Sequence, residues 1–122
     1  YLGGWRAYGV SKIATILFMK ELARRSSVEA YSFHPGYVAT NFGTSSALVR
    51  FGNIVSGGRL GISSEQGATP LVHLATADTI DSPNGTYFDG LSPNGRVHPS
   101  ATDTNAGELW ERSTAMVDVR VA

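Results

Sequence analysis

Tyr8 and Lys12, in the run Tyr8-Gly9-Val10-Ser11-Lys12, are the residues whose types and spacing could do chemistry. On a helix, residues four apart stand one above the other on the same face. A helical Tyr8–Lys12 pair therefore brings a phenol and an ammonium to one spot. A phenol exchanges protons poorly at neutral pH, because its reference pKa is about 10. A cation beside it favours the phenolate and draws that value toward the working range. Such a pair can move a proton on or off an alcohol or carbonyl oxygen. The plain alternative is a chance pair on a solvated helix face. Other reactive groups are sparse. Cysteine is absent, which excludes a thiolate nucleophile, a disulfide frame and a zinc knuckle. His34 reads as a satisfied strand-end histidine, and His73 and His98 have no partners at ligand spacing, so no metal site is expected.

The elements that must hold this pair follow from the apolar pattern. A loop is expected over Tyr1–Trp5, where two glycines leave the backbone unfixed. A helix is predicted from Ala7 to Arg25, with Val10, Ile13, Ala14, Leu17 and Glu21 on one side and Ile16, Phe18, Met19, Leu22 and Ala23 filling most of the rest. A helix apolar nearly all round is buried on more than one side. One side should lie on a sheet and the other on a second helix, from this subunit or another. Arg24 and Arg25 suit its negative C-terminal end. After a turn at Ser26-Ser27, Val28–His34 reads as a short strand stopped by Pro35. Helix then strand across a tight connection is half of a βαβ unit, and so implies an α/β fold with a parallel sheet. In such sheets ligands sit beyond the carboxyl ends of the strands. That puts Pro35 to Thr40 at the rim of a site.

From Asn41 to Ile62 the chain is rich in Gly and Ser yet carries Phe42, Leu48 and Phe51. A long loop of this kind is either a lid over an apolar substrate or a surface packed on a neighbouring subunit. Both readings stay open. Ser63 or Ser64 caps a helix running to Thr76, and Ser63 fits better because it sets Gln66 at the capping-box position. Pro70 sits awkwardly inside it, so a kink or a later start is expected. Leu71, Val72, Leu74 and Ala75 make it a packing helix. Asn84-Gly85 signals a turn, Thr86–Phe88 a short strand joining the same sheet, and Asn105–Val117 a last helix with Leu109 and Trp110. Asn84-Gly85-Thr86 also matches a glycosylation acceptor, which is read as coincidence.

Composition narrows the class. A length of 122 residues fits one domain spanning 1–122 with a moderate core. Hydrophobic content of 42% and charged content of 16% are those of an ordinary globular protein. Ten basic and ten acidic residues cancel, which argues against nucleic acid as a partner and against an acidic tail. The apolar run around Ile13–Met19 is too short to cross a bilayer, so no transmembrane segment is expected. The opening Tyr1-Leu2-Gly3-Gly4-Trp5 reads as the middle of a longer chain, not as a targeting segment, and the cytoplasm is the expected compartment.

Tyr8-x-x-Ser11-Lys12 on a helix, a strand ending in Pro35-Gly36, and Thr40 four residues on together resemble the short-chain dehydrogenase/reductase family. His34-Pro35-Gly36-Tyr37-Val38-Ala39-Thr40-Asn41, Glu65-Gln66-Gly67-Ala68 and Gly85-Thr86-Tyr87-Phe88 narrow this to its retinol-dehydrogenase-like branch. The resemblance runs over nearly the whole chain and covers the C-terminal half of such an enzyme. It implies the later part of a doubly wound, Rossmann-type domain. The glycine-rich phosphate turn, the ribose discriminator and the catalytic serine would belong to a preceding half. By the same resemblance Tyr8 is the general acid or base, and Lys12 assists it and binds the nicotinamide ribose of NAD or NADP. Pro35, Gly36, Val38 and Thr40 meet the nicotinamide end of that cofactor. Ser11, although part of the motif, reads as a helix-packing or local hydrogen-bonding residue.

The expected function is an NAD(P)-dependent interconversion of a small apolar alcohol and its ketone or aldehyde, with Phe42, Leu48 and Phe51 as a substrate lid. A homo-oligomer is expected through the Ala7–Arg25 helix. The competing class is a non-catalytic scaffold that dimerises through that helix. A third reading keeps the fold and changes the chemistry, as in the nucleotide-sugar epimerases, which share Tyr-x-x-x-Lys but carry longer sugar-nucleotide loops. Alone, the 122 residues are expected to bind no dinucleotide and to be inactive, since they hold no glycine-rich turn after a strand.

Overall fold

The stretch Leu2–Arg25 contains no proline and forms a single helix, α1. The computed structural model describes residues 2–38, 61–93 and 95–117. In order these form α1, β1 (Ser32–His34), α2 (Ser64–Thr76), β2 (Tyr87–Asp89) and α3 (Asp103–Val117). α1 starts at Leu2, whereas a loop is expected up to Trp5. Extending a helix is far easier than nucleating one, so Gly3 and Gly4 are carried in its first turn despite a cost of about 1 kcal/mol each in a helix interior. Trp5 and Tyr8, one turn apart, add an edge-on ring contact with centroids 6.2 Å apart. At the other end Ser26 closes the helix, its amide and hydroxyl both donating to the Leu22 carbonyl.

The core lies between α1 and α3. Leu17, Ala101 and Ala106 are buried there, with Ile13 and Leu109 packed against them. Phe18 stacks on Trp110 at 5.3 Å between centroids and 13° between planes. Glu21 shares this side of α1 and is only 2% exposed. A buried carboxylate is tolerated only if paired and hydrogen-bonded. Arg24 Nη1 and Arg25 Nε each donate to it at 2.6 Å. Arg25 then reaches Glu111 on α3 at 2.6 Å and lies over the Trp110 ring. Lys20 pairs with Asp103 at 2.8 Å and donates to the Ala101 carbonyl. The second helix expected against α1 is thus α3 of the same chain.

β1 and β2 form a two-stranded parallel sheet, with Ser32 opposite Tyr87, Phe33 opposite Phe88 and His34 opposite Asp89. The fold is α/β with a parallel sheet, as the helix–strand order implies. β1 is shorter than the expected Val28–His34. Its first half is met by a side chain in place of a strand: the Asn84 amide accepts from Ala30 N–H at 2.7 Å and donates to the Val28 carbonyl at 2.9 Å. The Gly85 amide adds a bond to the Ala30 carbonyl. Gly85 has φ +88°, and a Cβ there would stand 3.3 Å from that of Ala23 on α1. That turn suits glycine on both counts.

α2 begins as the capping box predicts. Ser63 Oγ accepts from Gln66 N–H, and the Gln66 side chain accepts from Ser63 N–H. Pro70 delays nothing, since the helix runs unbroken to Thr76. Its buried residues are Gly67 and Pro70, while Leu71 and Val72 are 55% and 57% exposed. The packing role expected of those two is not met among the described residues.

The Arg25 hydrogen bond, with the charges of both arginines and against the effect of burial, holds Glu21 below the usual carboxylate range. Lys20 does the same for Asp103. Both folded-state values lie below the unfolded ones. The stability these groups contribute is therefore complete above the ordinary carboxylate range and is lost as pH falls through the folded values. Glu21→Gln should lower stability at pH 7 by about 1–2 kcal/mol, and urea midpoints measured from pH 7 to pH 3 should fall less steeply in the variant than in the parent. Asn84→Ala should lose both strand bonds and cost about 1–3 kcal/mol. Faster amide exchange at Ala30 is the signature to measure.

Candidate active site

Tyr8 and Lys12 share one face in the first half of α1, as their spacing requires. Lys12 Nζ lies 5.3 Å from the centre of the Tyr8 ring, and Tyr8 is 42% exposed. Ser11 Oγ donates to the Tyr8 carbonyl at 2.7 Å and Thr15 Oγ1 to the Ser11 carbonyl at 3.2 Å. Ser11 is therefore tied to the helix backbone, the local role its position suggests.

The second group of expected residues follows β1. Gly36 has φ +89°, the left-handed region that favours glycine. Its amide donates to His34 Nδ1 at 3.0 Å, so His34 is occupied in capping the strand end. Val38 forms a parallel bridge with Ile62, and the Ile62 amide donates to the Tyr37 carbonyl at 2.8 Å. The Ile62 side chain reaches back over Gly36, 3.3 Å from where a Cβ would stand. The structure thus gathers Gly36, Val38 and Ile62 into one knot at the carboxyl end of β1. Thr40, Phe42, Leu48 and Phe51 lie outside the described residues. Among the described residues no cluster of His, Asp and Glu could hold a metal ion. None of the described helices is long and apolar enough to cross a membrane.

A groove of about 710 Å³ lies between α1 and α3, lined by Arg6, Val10, Ile13, Leu17, Leu109 and Arg112 among others. At 100° per residue its α1 stripe lies roughly opposite Tyr8 and Lys12. The groove is therefore not the place where that pair could meet a substrate.

Two contributors escaped the sequence reading. Gly67 lets Val38 approach α2, since a Cβ on Gly67 would come within 2.6 Å of Val38 Cγ2. Asn84 carries the strand clamp described above. Its match to a glycosylation acceptor masked that use, and only the turn signal at Asn84-Gly85 hinted at it.

Several curated proteins are similar to the chain. Retinol dehydrogenase 13 of Homo sapiens is 34% identical over 121 residues, covering 91% of the chain and 36% of that protein. Retinol dehydrogenase 14 of Homo sapiens is 33% identical over 117 residues, covering 90% and 34%. A daunorubicin C-13 ketoreductase, provisionally so named, from Streptomyces sp. (strain C5) is 35% identical over 116 residues, covering 92% and 38%. The chain spans little more than a third of the length of these relatives. No family model matches the chain, and no solved structure matches it.

Proposed function

From a chain that is retinol-dehydrogenase-like, of the short-chain dehydrogenase/reductase kind, we propose an NAD(P)-dependent oxidoreductase that interconverts an apolar alcohol and its ketone or aldehyde. In this reading the two-stranded sheet is the later part of a doubly wound, Rossmann-type domain. The observation that carries it is the Tyr8–Lys12 pair on one exposed face of α1, ahead of a parallel strand that is followed by Pro35-Gly36.

Chain length supports joining the two. From Ser26 back to Tyr8 α1 rises about 27 Å. From Ser26 forward to His34 an extended chain reaches at most about 26 Å. The start of α1 and the end of β1 can therefore stand at one height, at the end of the sheet where ligands bind in such folds. An exposed ammonium, an exposed phenol and a glycine turn fit a nicotinamide riboside at that place. Bound there, the nicotinamide supplies or accepts the hydride. Tyr8 gives its hydroxyl proton to the carbonyl oxygen in reduction, or takes the alcohol proton in oxidation. Lys12 steadies the negative charge on the Tyr8 oxygen and donates to ribose hydroxyls. The backbone around Pro35, Gly36 and Val38, with the Thr40 hydroxyl, holds the carboxamide end. Phe42, Leu48 and Phe51 cover an apolar substrate. Retinol and ketone reduction in the names of the relatives support a carbonyl–alcohol couple of this kind.

A second copy of the protein is a further partner in this proposal. Trp5 and Val10 on α1 are 55% and 60% exposed, and large apolar residues of that kind favour assembly through this helix. The same exposure would serve a scaffold that catalyses nothing.

Tyr8→Phe in the whole protein removes the transferable proton and keeps the ring. Turnover of an apolar aldehyde with NADH or NADPH should fall by at least roughly 10²–10⁴-fold, with the melting temperature unchanged. Lys12→Ala should lose turnover and also weaken cofactor binding. Near-parental turnover in Tyr8→Phe would overturn Tyr8 as the proton donor, whereas a parent protein with no turnover on any apolar carbonyl would leave the scaffold reading standing.

A further inference from the structure

We infer that Gly67 is a positioning residue for the nicotinamide end of the cofactor site, acting through Val38. The inference rests on the proposed oxidoreductase reading and adds a residue to it. A Cβ built on Gly67 would meet Val38 Cγ2 at 2.6 Å and Cγ1 at 3.3 Å, and real Cβ atoms do not approach other atoms so closely as the first of these. Gly67 is buried, in the first turns of α2. Its φ is not in the left-handed region, so backbone conformation does not demand glycine here. Among the described residues, the three atoms nearest to that Cβ all belong to Val38.

Val38 cannot retreat freely. Its backbone pairs with Ile62, the Ile62 amide is bonded to the Tyr37 carbonyl, and the Ile62 side chain closes on Gly36. The residue after Ile62 is Ser63, whose capping box with Gln66 fixes the start of α2. Gly67 and Ile62 thus both meet Val38, Gly67 from within α2 and Ile62 from the residue before its Ser63 cap. A methyl group at position 67 has to push either the strap at residues 36–38 or α2 itself. Because the strap is the thinner of the two, its backbone groups are the ones displaced. Those are the groups proposed to meet the carboxamide.

The experiment uses the whole protein, with Gly67→Ala, Val38→Ala and the double variant. Two readouts are needed: cofactor affinity by NADH and NADPH fluorescence titration, and exchange of the Ile62 amide. Gly67→Ala should weaken cofactor binding about tenfold, raise the cofactor KM more than it lowers kcat, and speed Ile62 exchange. In the Val38→Ala background, where the clashing methyl is gone, adding Gly67→Ala should cost almost nothing on either readout. This comparison also carries the test should Gly67→Ala alone fail to accumulate. An equal penalty in both backgrounds overturns the contact with Val38. Faster Ile62 exchange with unchanged cofactor affinity overturns the positioning role and leaves Gly67 a packing residue. Tyr8→Phe measured alongside separates these results from failure of the oxidoreductase reading. Loss of turnover there, with no Gly67 effect, sinks this inference only.

Discussion

A carboxylate withdrawn from water sets the orientation of α1 against α3. Glu21 is almost fully buried, and two neighbouring arginines supply the charge and the donors that make this tolerable. Arg25 does not stop at Glu21. It continues to Glu111 and covers Trp110, which in turn stacks on Phe18. The polar cluster and the aromatic pair therefore lock the same two helices. They also fix which way α1 is rotated about its axis, because Leu17 and Glu21 must face α3. With that face committed, Tyr8 and Lys12 are turned roughly to the opposite side. The exposure of the reactive pair follows from the burial of an acid more than two turns away.

The other half of the site is held by backbone bonds. β1 is three residues long, which by itself is too little for a stable sheet. It persists because its neighbours satisfy the groups a longer partner would have met. The Asn84 amide serves Val28 and Ala30, the Gly90 amide serves the His34 carbonyl, and Ile62 serves Tyr37. Each of these bonds ends where the chain leaves β1 or enters it. The result is a short rigid strand with a fixed exit, delivering Gly36 and Val38 to one place.

The two halves of the candidate site differ in kind. Tyr8 and Lys12 lie together on an exposed face of α1. Gly36, Val38, Ile62 and Gly67 instead form a knot of close backbone and side-chain contacts. Both lie within a chain that is similar to retinol dehydrogenases over more than nine-tenths of its length.

Much of this was legible in the residues alone, and the reason is distance along the chain. The Tyr8–Lys12 face, the Ser63–Gln66 capping box and the extent of α3 to within two residues at its start depend on contacts three or four positions apart, which spacing encodes directly. That the sheet is parallel followed from the order of helix and strand, while the pairing of β1 with β2 came from the structure. What only the tertiary structure decided are contacts between distant segments. The Asn84 clamp joins residues 54 and 56 positions apart, and nothing near Val28 announces that an amide will replace its strand neighbour. Gly67 looks like an ordinary flaw in a helix until Val38 is set against it. Leu71 and Val72 read as core by hydropathy and stand exposed, because burial needs a second surface and residues on one helix cannot specify where that surface lies.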